Sequence, residues 1–303
     1  MCEQAGGEMQ VQTEHLKSLN RVVREQKPFP KGCLIVVGTP IGNLEDFSPR
    51  AIEALRQADF VAAEDTRVTL KLLNHFGIHK PLISYYEHNK REKGEQICAR
   101  MEAGETCALV SDAGMPAISD PGELLVAQCA ERGIPVTVAP GPSAVITALA
   151  VSGLPTGRFA FDVFLSVNKK SRREHLEEIR GEKRTMVFYE APHKLPATLR
   201  DLLETLGDRR IALVRELTKI HEEVIRTTLQ KAAERFSCEA PRGEFVLVVE
   251  GAQEAAEKEI TLEEAVKLAS RYREEGLSLS DAAKKAASET GFKKGELYRL
   301  LAR

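Results

Sequence analysis

The chain has 303 residues, 43% of them hydrophobic and 29% charged, with 43 basic and 45 acidic side chains giving a formal net charge of -2. That length suits about two domains with a sizeable core, and the composition excludes wholesale disorder. The balanced charge exerts no bulk pull toward nucleic acid or an anionic membrane, and taken alone it argues against a nucleic-acid substrate.

Residues 1–30 are polar, with a weak helical stripe at Leu16, Leu19 and Val23, and read as a flexible leader; no apolar core of a signal peptide is present in them. Order is expected from Cys33-Leu34-Ile35-Val36-Val37, a short apolar run of the kind a parallel sheet buries on both faces. The turn-rich loop Gly38–Leu44 follows, and then Ser48-Pro49 as helix cap and first turn, with Ile52, Leu55 and Ala58 on one face. The same grammar repeats: a strand at Asp59–Ala63, a helix from Arg67 to Phe76, a strand at Thr106–Val110, a helix after Asp120-Pro121-Gly122-Glu123 in capping-box style, and a strand at Val136–Val138 feeding a helix near Pro142-Ser143. Strands alternating with helices mean an α/β layer with a mostly parallel sheet. The stretch from Gly133 to Gly157 carries no charge but holds Pro135, Pro140, Pro142 and Pro155, which forbid a spanning helix; it reads as a buried strand, a loop and a buried helix in a soluble protein.

A linker is expected at Ser152–Gly157. Beyond it strand-like runs stand at Phe159–Leu165, Thr185–Tyr189, Ile211–Val214, Glu223–Thr228 and Phe245–Val249, separated by only two or three helices, so this second sheet is more mixed. From Thr261 the pattern is helical, with a Thr261/Glu264 capping box, Ser280 as the next cap, Gly291 as an interruption and a last helix from Lys294 to Arg303. The expected division is a leader at 1–30, a first α/β domain at 31–152, a second at 153–255 and a helical module at 256–303. The six cysteines, Cys2, Cys33, Cys98, Cys107, Cys129 and Cys238, form neither a CxxC pair nor a zinc-spaced cluster, so no metal is expected; they read as small buried hydrophobes of a reducing, cytoplasmic protein.

Ligands of an open parallel sheet bind at its C-terminal strand ends. Four loops placed there are rich in Gly, Pro, Ser and Asp: Gly38–Leu44, Glu64–Arg67, Ser111–Gly122 and Pro140–Ala144. A dinucleotide site is the first thought, because the acidic pair Glu64-Asp65 lies some way after a glycine loop, but Gly38-Thr39-Pro40-Ile41-Gly42 is neither G-x-G-x-x-G nor a phosphate-binding P-loop. Such loops suit a neutral-to-cationic ligand held by backbone groups and a carboxylate, with Asp112 best placed to supply it.

The run Val37–Leu44, then Glu64-Asp65-Thr66-Arg67, the loop SDAGMPAISDPG at 111–122 and Pro140–Ala144 resembles the class III, tetrapyrrole-methylase-type S-adenosylmethionine-dependent methyltransferases. Within them it is similar to the branch acting on small-subunit ribosomal RNA, as are Phe188–Leu195, Arg215–Glu223 and Gly243–Val249; the match is collinear over roughly residues 32–250. The resemblance implies two α/β domains with the methyl donor, S-adenosyl-L-methionine, in the cleft between them, plus the small C-terminal helical domain. It implies a homodimer, no membrane or DNA partner, and 2′-O-methylation of a cytidine ribose in the decoding region of 16S ribosomal RNA, free or in the assembled small subunit. Two alternatives stand beside it: the same fold acting on a tetrapyrrole or other small molecule, and a non-catalytic RNA-binding protein. One departure concerns the start of the second domain, where family members carry F-x-G-F-L-P and this chain reads Phe161-Asp162-Val163-Phe164-Leu165-Ser166, with Val163 for Gly and Ser166 for Pro.

Gly38, Thr39 and Pro40 are accordingly expected against the donor by backbone contact, Asp112, Gly114 and Met115 along its ribose and methionine portions, Ser143 and Ala144 closing over it, and Tyr189 and Gly243 reaching in from the second domain. Candidate acceptors for the ribose proton are Asp65, Glu190 and His193, with Asn43 and Arg67 orienting ribose or phosphate. Asp65 and Arg67 read equally well as a simple ion pair, and His193 as a solvated histidine. RNA contact is expected from Lys169, Lys170, Arg172 and Arg173, in a segment to Arg184 with seven basic against four acidic side chains, and from Lys284, Lys285, Lys293 and Lys294 in a helix–Gly–helix pattern resembling a small helix-turn-helix.

Overall fold

In the computed structural model residues 28–253 and 261–302 are described, so the leader stripe and the end of the last segment at Arg303 lie outside the described residues. The described chain forms two compact units: one holds residues up to 178 together with 185–250, the other 179–184 together with the C-terminal segment from 251.

The first unit contains two five-stranded sheets. The first is all parallel, in the order β3-β2-β4-β1-β5, from β1 (Leu34–Val37), β2 (Phe60–Ala63), β3 (Leu82–Ser84), β4 (Cys107–Val110) and β5 (Val136–Ala139). Its helices are α1 (Pro49–Gln57), α2 (Thr66–His75), α3 (Lys90–Glu102) and α4 (Glu123–Glu131). Strands β1, β2 and β4 are buried along their whole length, as short apolar runs must be when helices cover both faces. Helix α1 begins as expected: the Ser48 hydroxyl accepts the Ala51 amide and Pro49 stands in the first turn.

The second sheet is mixed, in the order β6-β7-β10-β8-β9, from β6 (Phe159–Phe164), β7 (Thr185–Glu190), β8 (Arg210–Arg215), β9 (Glu223–Thr228) and β10 (Phe245–Val249). Only β6 and β7 run parallel; β10 runs against β7 and β8, and β9 against β8. Helix α5 (Ala144–Ser152) follows β5 in the chain yet packs on this second sheet, burying Val145, Ala148 and Leu149 against Val187, Ala212, Val214, Val246 and Val248. Its C-terminal carbonyls at Val151 and Ser152 accept from the Arg226 guanidinium of β9. Helices α6 (Lys169–Glu178), α7 (Leu195–Leu206) and α8 (Leu229–Cys238) complete this half. The second unit stacks α9 (Leu262–Glu274), α10 (Leu279–Thr290) and α11 (Lys294–Leu301) around Ala265, Ala269, Ala283, Ala286 and Leu297, where small side chains let the helices approach closely.

Several expectations need correction. Strand β3 and helix α3 are additional elements. Strand β5 is an edge, not a buried strand: among the described strands it pairs only with β1, and Val136 and Val138 are exposed. Asp120 does not cap α4; the cap is Gly122, with φ 145 and no side-chain cap, and the Asp120 carboxylate bonds to Ser111 instead. The cap of α10 is Ser278, whose hydroxyl accepts the Asp281 amide at 3.1 Å, while Ser280 lies in the first turn. Cys238 is exposed, whereas Cys33, Cys98, Cys107 and Cys129 are buried thiols as expected. The Thr261/Glu264 capping box and the left-handed Gly291 at the end of α10 stand as read.

Candidate active site

A cavity of about 500 Å³ opens where the strand ends of both sheets meet. From the first half it is lined by Ile41, Glu64, the loop Asp112–Met115 and Ile118–Asp120, and from the start of α5 by Ser143 and Ala144. The second half contributes Phe164 and Tyr189–Pro192 from the ends of β6 and β7, Val214, Leu217 and Lys219 from the end of β8, and Glu244–Val246 from the start of β10. Because β10 runs antiparallel to its neighbours, its beginning falls at the same sheet edge as their ends.

The loops that build the cavity are fastened to one another. Thr39, fully buried, pairs with Gly114 in an isolated bridge, donating at 2.9 Å and accepting at 3.2 Å. The backbones of Gly38 and Gly141 nearly touch: a Cβ on Gly38 would stand 2.7 Å from the Gly141 backbone and 2.6 Å from Met115 Sδ. Only glycine fits at both positions. Gly243, at φ 82, serves a different end, since a Cβ there would collide with the Glu216 side chain, whose carboxylate accepts the Glu244 amide at 2.9 Å and the Lys219 ammonium at 3.0 Å. Strained backbone concentrates around the cavity. All five non-glycine residues with positive φ among the described residues, Ala117, Ser119, Val163, Glu216 and Thr218, belong to its loops or adjoin its lining residues.

Three carboxylates give the first-half wall its electrostatic character. Burial, and then the charge of Asp120, pushes Glu64 above the ordinary glutamate value. Burial likewise raises Asp112, against a hydrogen bond from the Asp65 amide, and raises Asp120, against one from Ser111. Such partly desolvated anions favour a cationic partner. Burial and the nearby Asp120 charge push the Tyr189 phenol up to about 12, so it stays a neutral hydroxyl near neutral pH.

Residues 33–233 match the tetrapyrrole (corrin/porphyrin) methylases. The chain belongs to this family. It is 48% identical over 278 residues to the ribosomal RNA small subunit methyltransferase I of Halalkalibacterium halodurans, covering 91% of this chain and 96% of that one. The protein of the same name from Thermotoga maritima is 47% identical over 220 residues, which span 99% of its length but 73% of this chain. Among solved structures the fold is similar to a uroporphyrin-III C-methyltransferase from Thermus thermophilus complexed with S-adenyl homocysteine, with a TM-score of 0.50 and 22% identity over 71% of this chain and 96% of that one.

As a member of the tetrapyrrole methylase family the chain has the expected α/β architecture, and its expected site residues divide into groups. Asp112, Gly114, Met115, Ser143, Ala144, Tyr189 and Glu190 all line the cavity. Gly38, Thr39, Pro40 and Gly243 stand outside its lining; Thr39 and Pro40 border a neighbouring hollow of about 360 Å³ that shares Asp112. Asn43 caps the short turn Leu44–Asp46. Asp65 caps α2 and holds the Arg67 guanidinium in two bonds of 3.0 and 2.6 Å, which brings its carboxyl down to about 2. Arg67 nevertheless remains 87% exposed. Both Glu190 oxygens are engaged, one by the Thr198 hydroxyl at 2.5 Å and the other by the Ala191 amide at 2.8 Å, and His193 is exposed.

Among the cations, Lys169, Lys170 and Arg173 are exposed at the start of α6. Arg172 is turned inward against Asp201 of α7 at 2.5 Å. Lys284, Lys285, Lys293 and Lys294 are exposed on the second unit, with Lys285 lying 4.0 Å over the Tyr272 ring and Lys294 bonded to Ser280. Sequence reasoning missed Glu64, Asp120, Phe164, Lys219 and Glu244 as cavity residues. The signal for Lys219 and Glu244 was their place inside the matched motifs 215–223 and 243–249, and that for Phe164 its match to the second Phe of F-x-G-F-L-P.

Proposed function

We propose that the cavity holds S-adenosyl-L-methionine beside the acceptor nucleotide of small-subunit ribosomal RNA, and that the enzyme methylates the 2′-oxygen of a cytidine ribose in the decoding region. The observation that carries this reading is the 48% identity to a ribosomal RNA small subunit methyltransferase I across 91% of the chain, a span that includes every element building the cavity. The residues present fit the donor: the partly desolvated carboxylates Glu64, Asp112 and Asp120, with raised pKa values, line the space a sulfonium would share, and Gly114 lies in the same wall. The donor supplies a methyl group on positively charged sulfur, open to in-line displacement by a ribose oxygen.

The chain's own work is therefore positioning and exclusion of water. Asp112, Gly114, Met115, Ser143 and Ala144 seat the donor, and the bridge from Thr39 to Gly114 keeps that loop in place. Gly38 and Pro40 shape the loop behind it. Glu190 fixes the turn after β7 through Thr198 and Ala191, and so holds Tyr189 at the wall. Asp65 presents the exposed Arg67 guanidinium toward phosphate, with Asn43 ordering the turn nearby. Lys169, Lys170 and Arg173, with Lys284, Lys285, Lys293 and Lys294 on the second unit, supply phosphate contact. The working form is a cytoplasmic homodimer acting on the ribosomal RNA or the assembled small subunit; no helix among the described residues is long and apolar enough to cross a membrane.

The test is incubation with labelled donor and small ribosomal subunits that lack the modification, followed by mapping of the label. Label on a cytidine 2′-oxygen in the decoding region supports the reading, and label absent from ribose overturns it.

A further inference from the structure

The pairing of β6 with β7 contains one extra residue. Phe159, Ala160 and Phe161 stand opposite Thr185, Met186 and Val187 in regular parallel register. Regular continuation would set residue 163 opposite Tyr189, yet Phe164 stands there. The additional residue is absorbed at Val163, whose φ is 56, a left-handed conformation that a β-branched side chain resists. The bulge has a definite effect. Side chains alternate across a sheet, so the slip turns Phe164 onto the face that carries Phe161 and Tyr189.

Tyr189 accordingly has a phenylalanine on either side. The Phe161 ring meets it at 5.0 Å and 68°, and the Phe164 ring at 5.5 Å and 58°. Phe161 and Tyr189 are partly buried and packed against the core, Tyr189 also reaching the cavity wall, whereas Phe164 lines the cavity and is 54% exposed. Packing alone does not account for a strained bulge that moves a phenylalanine into solvent. A flat apolar face, braced from behind by Tyr189 and open at a cavity wall, suits a planar aromatic ligand.

We propose that Phe164 is the platform on which the acceptor's nucleobase stacks when its nucleotide is splayed into the cavity. This rests on the ribosomal RNA reading above and names the part of the site that recognises the acceptor. Proteins that act on a nucleotide in a concave site draw it out of its helix and stack the base on aromatic rings. The carboxylates that favour a cation, Glu64, Asp112 and Asp120, come from the first half, while Phe164 comes from the second. The chain beyond Phe164 also leads to the phosphate-binding cations. The Ser166 hydroxyl accepts the Asn168 amide at 3.2 Å, and Asn168 accepts the Lys170 and Ser171 amides at 2.9 and 3.2 Å. These bonds set the first turn of α6, and with it Lys169, Lys170 and Arg173, a few residues from the platform.

Phe164→Ala, Phe164→Leu and Phe164→Tyr in the full chain, assayed with S-adenosyl-L-methionine and small subunits lacking the methyl group, test this. F164A and F164L are expected to raise KM for the subunit by about tenfold to a hundredfold while F164Y restores it, since the ring face and not apolar bulk makes the contact. Donor Kd by calorimetry and the melting temperature are expected to stay at the wild-type values. F164L, which keeps an apolar side chain of similar size, serves if F164A fails to fold. An F164L enzyme with wild-type KM overturns the platform, as does loss of donor binding in step with KM. Wild-type enzyme that leaves ribosomal RNA unlabelled overturns the proposed function and the platform together. Wild-type enzyme that labels it while F164A matches wild type overturns the platform alone.

Discussion

The two α/β halves reach one cavity by different geometries and bring it different chemistry. In the first half every strand runs the same way, so the loops after β1, β2 and β4 arrive at one edge, and they bring glycine backbone and the carboxylates Glu64, Asp112 and Asp120. In the second half the reversed β10 does equivalent work, setting Glu244–Val246 beside the ends of β7 and β8. This half brings aromatic and aliphatic surface from Phe164, Tyr189, Val214, Leu217 and Val246, the charged side chains Glu190, Lys219 and Glu244, and the cation-rich helix α6 beyond them. Carboxylates in one wall and exposed aromatic surface in the other suit a reaction between a cationic donor and a nucleotide, and substitutions on the two sides are expected to damage different things.

The largest effect is expected at Gly38. Gly38→Ala forces a methyl group into the Gly141 backbone, and overpacking of that kind destabilises by about 3 kcal/mol, visible as a lower denaturation midpoint together with loss of donor binding by calorimetry. Next come the cations of α6, where one residue differs from its neighbours. Arg172→Ala breaks the inward pair with Asp201 and is expected to lower stability by about 1–2 kcal/mol with little change in RNA affinity. The triple variant K169A/K170A/R173A should do the reverse, leaving the melt unchanged and reducing the salt dependence of RNA binding by a slope of about 2–3.

Glu64 separates donor binding from folding. Its pKa is raised in the folded chain, so the stability it contributes is fully present below the ordinary glutamate value and is lost as pH rises through the folded value. Glu64→Gln should therefore melt higher than wild type at pH 8, match it near pH 4, and bind the cationic donor more weakly at pH 8. Equal donor affinity would show that the first-half wall is not electrostatic. The smallest effect is at the bulge. Val163→Gly relieves the left-handed valine and is expected to stabilise by about 1 kcal/mol in denaturant, with methylation retained. A destabilised V163G would mean that the valine side chain contributes more than its backbone strain takes away.

The four strand-end loops were legible because glycine, proline and aspartate punctuate short apolar runs, and the second sheet was legible because its strands are long and β-branched. Strand β3 escaped notice because it is three half-buried residues at an edge, and helix α3 because its buried positions Gly94, Ile97, Cys98 and Met101, though at helical spacing, include a glycine and stand among charged residues as a faint stripe. Strand β5 was misread because apolar composition does not distinguish an edge from a centre. Two serines two residues apart, Ser278 and Ser280, look alike as caps until the Asp281 amide selects one. In the site, Asp112 was legible from its loop. The loss of Glu190's oxygens to Thr198 and Ala191, and the turning of Arg172 toward Asp201, depend on helix packing that no local pattern encodes. The same holds for Phe164. Its sequence neighbours mark a strand, and only the slip against β7 shows which way the ring faces.

Helix α5 belongs to the first half by chain order and to the second by packing, so the covalent crossing between the halves is the short run Pro140-Gly141-Pro142-Ser143. Two proline rings fix φ within it, and Gly141 is pressed against Gly38. A hinge needs backbone freedom at the joint, and this joint has little. The halves are therefore joined by a stiff link, and the strained backbone at Ala117, Ser119, Glu216 and Thr218 lies in other loops of the cavity rim.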